Sequence, residues 1–152
     1  MKIIVDTREQ LPFLFTDYKC ATEKGTLGVG DYSLVGFEDR VSVERKSVDD
    51  LVQCLCHDRE RFERELARAR ALERFVILVE CDYQTLALGK YRSQMRPSAV
   101  LQSLAAFQVR YGASIWLGGS RKGAEYYCYS FLSKYADEMR KRWERCEKAM
   151  AA

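Results

Sequence analysis

This 152-residue chain lacks most of the features that mark a specialised scaffold. It has one histidine, His57, and its six cysteines, at 20, 54, 56, 81, 128 and 146, form no C-x-x-C pair. Neither a Cys/His zinc site nor a disulfide framework is therefore expected; several of the thiols suit small buried residues in a reducing compartment, and His57 suits a helix end. The longest strongly apolar run, Phe75 to Val79, falls far short of the roughly 20 residues that cross a bilayer. No signal-peptide pattern opens the chain. The expectation is an intracellular protein, cytoplasmic or nucleoid-associated, with no membrane partner. Gly25, Gly28 and Gly30 are followed by no G-K-S/T and by a strand pattern rather than a helix, which excludes a nucleotide-binding loop. There is no repeat, linker or low-complexity segment, so residues 1–152 are read as one domain.

What is present is ordinary in bulk, with 47% hydrophobic and 31% charged residues and a net charge of +3. Such values describe a globular chain that permits a nucleic-acid partner without requiring one. The informative stretch runs from Gly30 to Asp50. Tyr32 to Val35 and Val41 to Glu44 have strand composition, and Gly36 to Asp39 has hairpin-turn composition. A hairpin there brings Asp31 and Glu44 together at its open end. Strand alternation puts Glu44 and Lys46 on one side and turns Arg45 to the other. Two carboxylates and an ammonium at a strand end suit a phosphodiesterase site, with hard oxygen ligands for Mg²⁺ or Mn²⁺ and a cation beside the attacking water. The same residues also suit a solvated ion pair at a hairpin mouth.

Context separates these readings. Gly30-Asp31-Tyr32, then Val43-Glu44-Arg45-Lys46 with Asp50, preceded by the hydrophobic strand and D-x-R-E of Ile3 to Glu9, resembles the nuclease domain of the XPF family. These are structure-specific endonucleases of DNA repair with archaeal Hef-like relatives, within the PD-(D/E)xK superfamily. The resemblance spans about residues 2–135 and leaves a basic helical extension over about 136–152. It implies the restriction-endonuclease-like α/β fold, a mixed central sheet with helices on both faces. The order of sequence elements agrees with this.

By the resemblance, Asp31 and Glu44 are metal ligands, joined by the Arg45 carbonyl, with Asp6 either a further ligand or a carboxylate just behind the ligands. Lys46 positions or activates the nucleophile; Arg8, Glu9 and Asp50 complete the catalytic set. Asp50 has a second reading, as the capping-box partner of Ser47 in a helix running to about Cys56. DNA contacts are expected from Arg8, Arg45, Arg59, Arg61 and the basic loop Lys90, Arg92 and Arg96, although charged helices and loops are also commonly just solvated.

Farther along, a helix is expected over about 59–72, a buried strand over 74–81, a polar segment over 83–88, a helix from Pro97 to Tyr111 stopped by Gly112, a strand over 114–117 and a long helix over about 121–150. The implied function is a Mg²⁺- or Mn²⁺-dependent DNA endonuclease acting on flaps and forks. A non-catalytic DNA-binding or partner subunit is the alternative. The motif residues are all intact, which favours the enzyme. No helix-hairpin-helix DNA-binding domain is expected in the chain; a homodimer or a separate DNA-binding partner is implied by the resemblance.

Overall fold

A computed structural model describes residues 1–151. Six strands, β1 (Lys2–Asp6), β2 (Ala21–Gly25), β3 (Tyr32–Leu34), β4 (Val41–Lys46), β5 (Arg74–Val79) and β6 (Ser114–Leu117), form one sheet in the order β2-β1-β3-β4-β5-β6. The pairings β1-β3 and β3-β4 are antiparallel; β1-β2, β4-β5 and β5-β6 are parallel. Helices α1 (Val48–His57) and α2 (Arg59–Ala69) cross from β4 to β5. Helices α3 (Tyr83–Ala87) and α4 (Pro97–Tyr111) cross from β5 to β6, and α5 (Arg121–Ala151) follows the last strand. Parallel neighbours require such crossovers, which is why helices interrupt the second half of the sequence.

Alternation along β5 builds both halves of the core. Phe75, Ile77 and Val79 pack with Leu51, Leu55, Phe62, Leu66 and Phe107 beneath α1, α2 and α4. Val76 and Leu78 face the other way, with Val41, Val43 and the Ala124, Cys128, Leu132 and Tyr135 stripe of α5. Each large side chain buried this way contributes about 1.5–3 kcal/mol. The expected mixed sheet with helices on both faces is therefore present. The coverage is uneven, with α5 alone beside the Phe13–Phe15 segment on one side.

Several element boundaries differ from expectation for identifiable reasons. The hairpin connection is longer than a tight turn: β3 stops at Leu34, Val35 is exposed, and Gly36 turns the chain at φ 84°. Strand β2 begins only at Ala21; ahead of it Tyr18 stacks on Tyr129 of α5 at 4.6 Å. Residues 83–87 form a helical turn capped by the Asp82 side chain. Helix α4 matches its expected span, Pro97 to Tyr111, and ends at Gly112 in the left-handed region, φ 64°.

Candidate active site

The site begins with backbone wiring at the strand ends. Gly30 has φ 78°, and a Cβ there would lie 2.1 Å from Ser42 Oγ, so only glycine lets the chain pass β4 this closely. The Asp31 amide donates to Val43 O at 2.8 Å, and the Asp6 amide donates to Asp31 O at 2.8 Å. Asp31 is thereby fixed between β1 and β4. One carboxylate oxygen, Oδ2, accepts from the Arg45 amide at 2.7 Å. Glu44 is 4% exposed, and its Oε1 lies 2.5 Å from Lys46 Nζ. The Lys46 ammonium also sits 5.0 Å from the centre of the Phe62 ring, within cation–π range.

Asp31, Glu44 and Lys46 open onto one polar cleft of about 440 Å³ between the strand ends and α2. Burial pushes the Asp31 carboxyl upward, with Glu9 adding to it; burial and then Asp31 push Glu44 upward. For Lys46, burial alone would lower the ammonium, but Glu44 outweighs it and the group is raised to about 12. The two partners pull in different directions, since a raised Glu44 favours the neutral acid. The short contact and the charged Lys46 favour the ion pair, because a buried ammonium without its carboxylate is strongly penalised. Two crowded carboxylates with raised affinities for protons form a site that a divalent cation would relieve.

Among the described residues, no three His, Cys, Asp or Glu side chains converge to hold a metal unaided. Two carboxylates do fit Mg²⁺, which usually keeps several waters and binds through one or two carboxylates plus substrate phosphate.

The expected third carboxylate is elsewhere. Asp6 is 2% exposed and accepts from the Arg8 amide, Nε and Nη2 and from the Leu27 amide, at 2.9, 2.7, 3.0 and 2.7 Å. Its oxygens are saturated by the loop they hold, so Asp6 fastens the approach to the site rather than facing a metal. Burial acts to raise its pKa, but these hydrogen bonds outweigh it and the carboxyl is lowered overall. Arg8, held by Asp6 and by Leu27 O at 2.7 Å, reaches the cleft as expected.

Glu9 and the Arg45 side chain lie on the opposite face, as strand alternation requires. Arg45 pairs with Glu9 at 2.8 Å and Glu80 at 3.0 Å, and its side chain is 8% exposed. It touches the site only through its backbone and is too buried to contact DNA. Asp50 is exposed in the first turn of α1 and absent from the cleft wall; its amide donates to Ser47 Oγ at 3.1 Å. Ser47 therefore caps α1, but among the described residues no bond from the Ser47 amide to the Asp50 carboxylate completes the expected capping box.

Arg59 is spent internally, on Glu63 at 3.0 Å, on Ser103 Oγ at 2.9 Å and over the Phe107 ring at 5.3 Å. It ties α2 to α4 and does not line the cleft. Arg61 does line it. Lys90, Arg92 and Arg96 are exposed in the α3–α4 connection, away from the cleft wall, with the Arg92 amide tied to Asp49 Oδ1 at 2.8 Å. Sequence reasoning missed Arg64, Glu65 and Arg68, which complete the α2 wall. Their signal was the helical spacing from Arg61, obscured by the mixed charges of the segment.

A mixed sheet flanked by helices on both faces, with a carboxylate pair and a lysine at its strand ends, defines a domain of the restriction-endonuclease-like class. The sequence matches the ERCC4 domain over residues 5–131, and the chain belongs to that family. Among solved structures it is similar to XPF from Aeropyrum pernix, at 23% identity and a TM-score of 0.73, covering 95% of this chain and 69% of that one. The same archaeal protein in complex with DNA aligns with a TM-score of 0.70 and 23% identity, covering 90% of this chain and 66% of that one. No curated protein matches the sequence.

Proposed function

We propose that this chain is a divalent-metal-dependent endonuclease that hydrolyses phosphodiester bonds in branched DNA, near junctions of duplex and single strand. The observation that carries this reading is the opening of Asp31, Glu44 and Lys46 onto one cleft whose rim is arginine-rich. Asp31 and Glu44 would hold Mg²⁺ or Mn²⁺, which when bound supplies a Lewis acid for the phosphoryl oxygen and lowers the pKa of a coordinated water. Lys46 holds the attacking water in line and offsets charge that builds on the phosphate. Arg8 grips a phosphate oxygen, its guanidinium already oriented by Asp6. The preference for flaps and forks rests on the family resemblance, and the DNA complex of the archaeal relative supports DNA as the ligand. A homodimer or a separate DNA-binding partner belongs to the same reading.

Labelled flap, fork, single-stranded and linear duplex DNA, incubated with Mg²⁺, Mn²⁺ or chelator, tests it. Wild type should cut branched substrates only with metal. Asp31→Asn and Lys46→Ala should fold normally and lose cutting by about 10²–10⁴-fold, the range for a positioned catalytic group. Full cutting by either variant, or cutting in chelator, would overturn the assignment. Binding to forks without any cutting by wild type would identify a non-catalytic subunit instead.

A further inference from the structure

The geometry of α2 points to a phosphate track: Arg61, Arg64 and Arg68 carry the backbone of the DNA strand that reaches the Asp31–Glu44–Lys46 cleft. This rests on the nuclease reading above and adds which surface holds the substrate. At 3.6 residues per turn the three arginines fall within about 60° of one helix flank and extend about 10 Å along the axis. All three line the cleft. Successive phosphates of one duplex strand advance about 3.4 Å each, so the row spans roughly three nucleotides.

What distinguishes the row from an ordinary solvated helix face is the lack of counter-charge. Among the described residues, Arg64 and Arg68 have no carboxylate within salt-bridge distance, and Arg61 has only Asp58 at 3.8 Å, with its own side chain 75% exposed. The other flank of the helix is neutralised: Glu63 is occupied by Arg59 at 3.0 Å, Arg110 at 3.8 Å and the Tyr111 hydroxyl at 3.0 Å. Like charges three and four positions apart destabilise an isolated helix, and a polyanion laid along them removes that penalty. Glu65 turns inward, its Oε1 3.4 Å from the Gly30 amide, on the metal side of the row. Arg8, 67% exposed, stands at the same cleft from the end of β1, so a strand lying against α2 is also gripped from the sheet side.

The test is equilibrium binding of fork DNA in Ca²⁺, at salt concentrations from 50 to 300 mM, for wild type, Arg64→Ala/Arg68→Ala and the control Lys122→Ala/Lys134→Ala. The control removes the same charge from α5, on the opposite face of the sheet. The arginine pair should bind roughly tenfold or more weakly, and its slope of log K against log salt should shrink by about 0.9 for each lost phosphate contact. The control pair should bind and cut as wild type does. Unchanged affinity and slope in the arginine pair, with wild type binding and cutting normally, would overturn the track and leave the nuclease reading intact. An equal loss in the control pair would also overturn it, by reducing the effect to net charge. If wild type neither binds nor cuts, both readings fall together.

Discussion

The two faces of β4 at its C-terminal end use the same kinds of side chain to opposite effect. On the α5 side, Arg45 sits between Glu9 and Glu80, and Arg121 adds a second contact to Glu80 at 2.8 Å while donating to Leu11 O and Pro12 O. Every charge there has a partner, and the network joins β1, β4, β5 and the start of α5. On the α2 side, Glu44 and Lys46 come from the same strand, but Asp31 adds a second carboxylate whose opposite charge is not matched at contact distance. A closed network stabilises the strand ends; an open one leaves a charge deficit, which the proposed metal and phosphate would fill. Since the two are one residue apart in sequence, the closed face is what holds the open one in place.

The largest effect that can break this comparison is the loss of cutting in Lys46→Ala described above, with a melting temperature lowered less than in Arg45→Ala because Glu44, whose pKa burial raises, can take up a proton. Next is Arg45→Ala. Removing the guanidinium leaves the buried Glu9 uncompensated, while Glu80 keeps Arg121 at 2.8 Å, and should cost about 3–5 kcal/mol, with a clear fall in the thermal midpoint. A melt unchanged in Arg45→Ala would show that the closed face contributes nothing.

A smaller effect is expected at Asp6. Its pKa is lowered in the folded protein, so its contribution is fully present above the ordinary carboxylate value and lost as pH falls through the depressed one. Asp6→Asn should therefore cost about 1–3 kcal/mol at neutral pH, and its deficit should narrow on acidification below about pH 4. Thermal melts from pH 3 to 7 would check this, and a constant deficit would contradict it. The smallest effect is expected for Arg59→Ala: about 1 kcal/mol of stability from lost hydrogen bonds to Glu63 and Ser103, with fork affinity in Ca²⁺ unchanged.

How much of this was legible in advance differs by residue. Alternation along Val41–Lys46 is a local property, so the opposed directions of Glu44 and Arg45 followed from the sequence. The pairing of Asp31 with Glu44 also followed, because a short hairpin has few registers that keep Tyr32 and Val43 buried. The hydrogen bonding of Asp6 was not legible, because D-x-R-E shows the charges of the motif and not the Leu27 amide that arrives from a later loop. Arg59 and Arg64 were indistinguishable as letters in a mixed-charge helix. Arg59 has its i,i+4 partner Glu63 within α2, and the position of α4, which brings Ser103 to the same flank, separates this spent arginine from the free ones.

The sequence by itself determined the alternating strand faces, the capped helices and the motif that places two carboxylates and a lysine near one another, because these depend on neighbours a few residues apart. Tertiary structure alone decided which charges are neutralised and which remain open. That outcome depends on groups brought together by packing, and Coulombic and hydrogen-bond energies follow distance in space rather than separation along the chain.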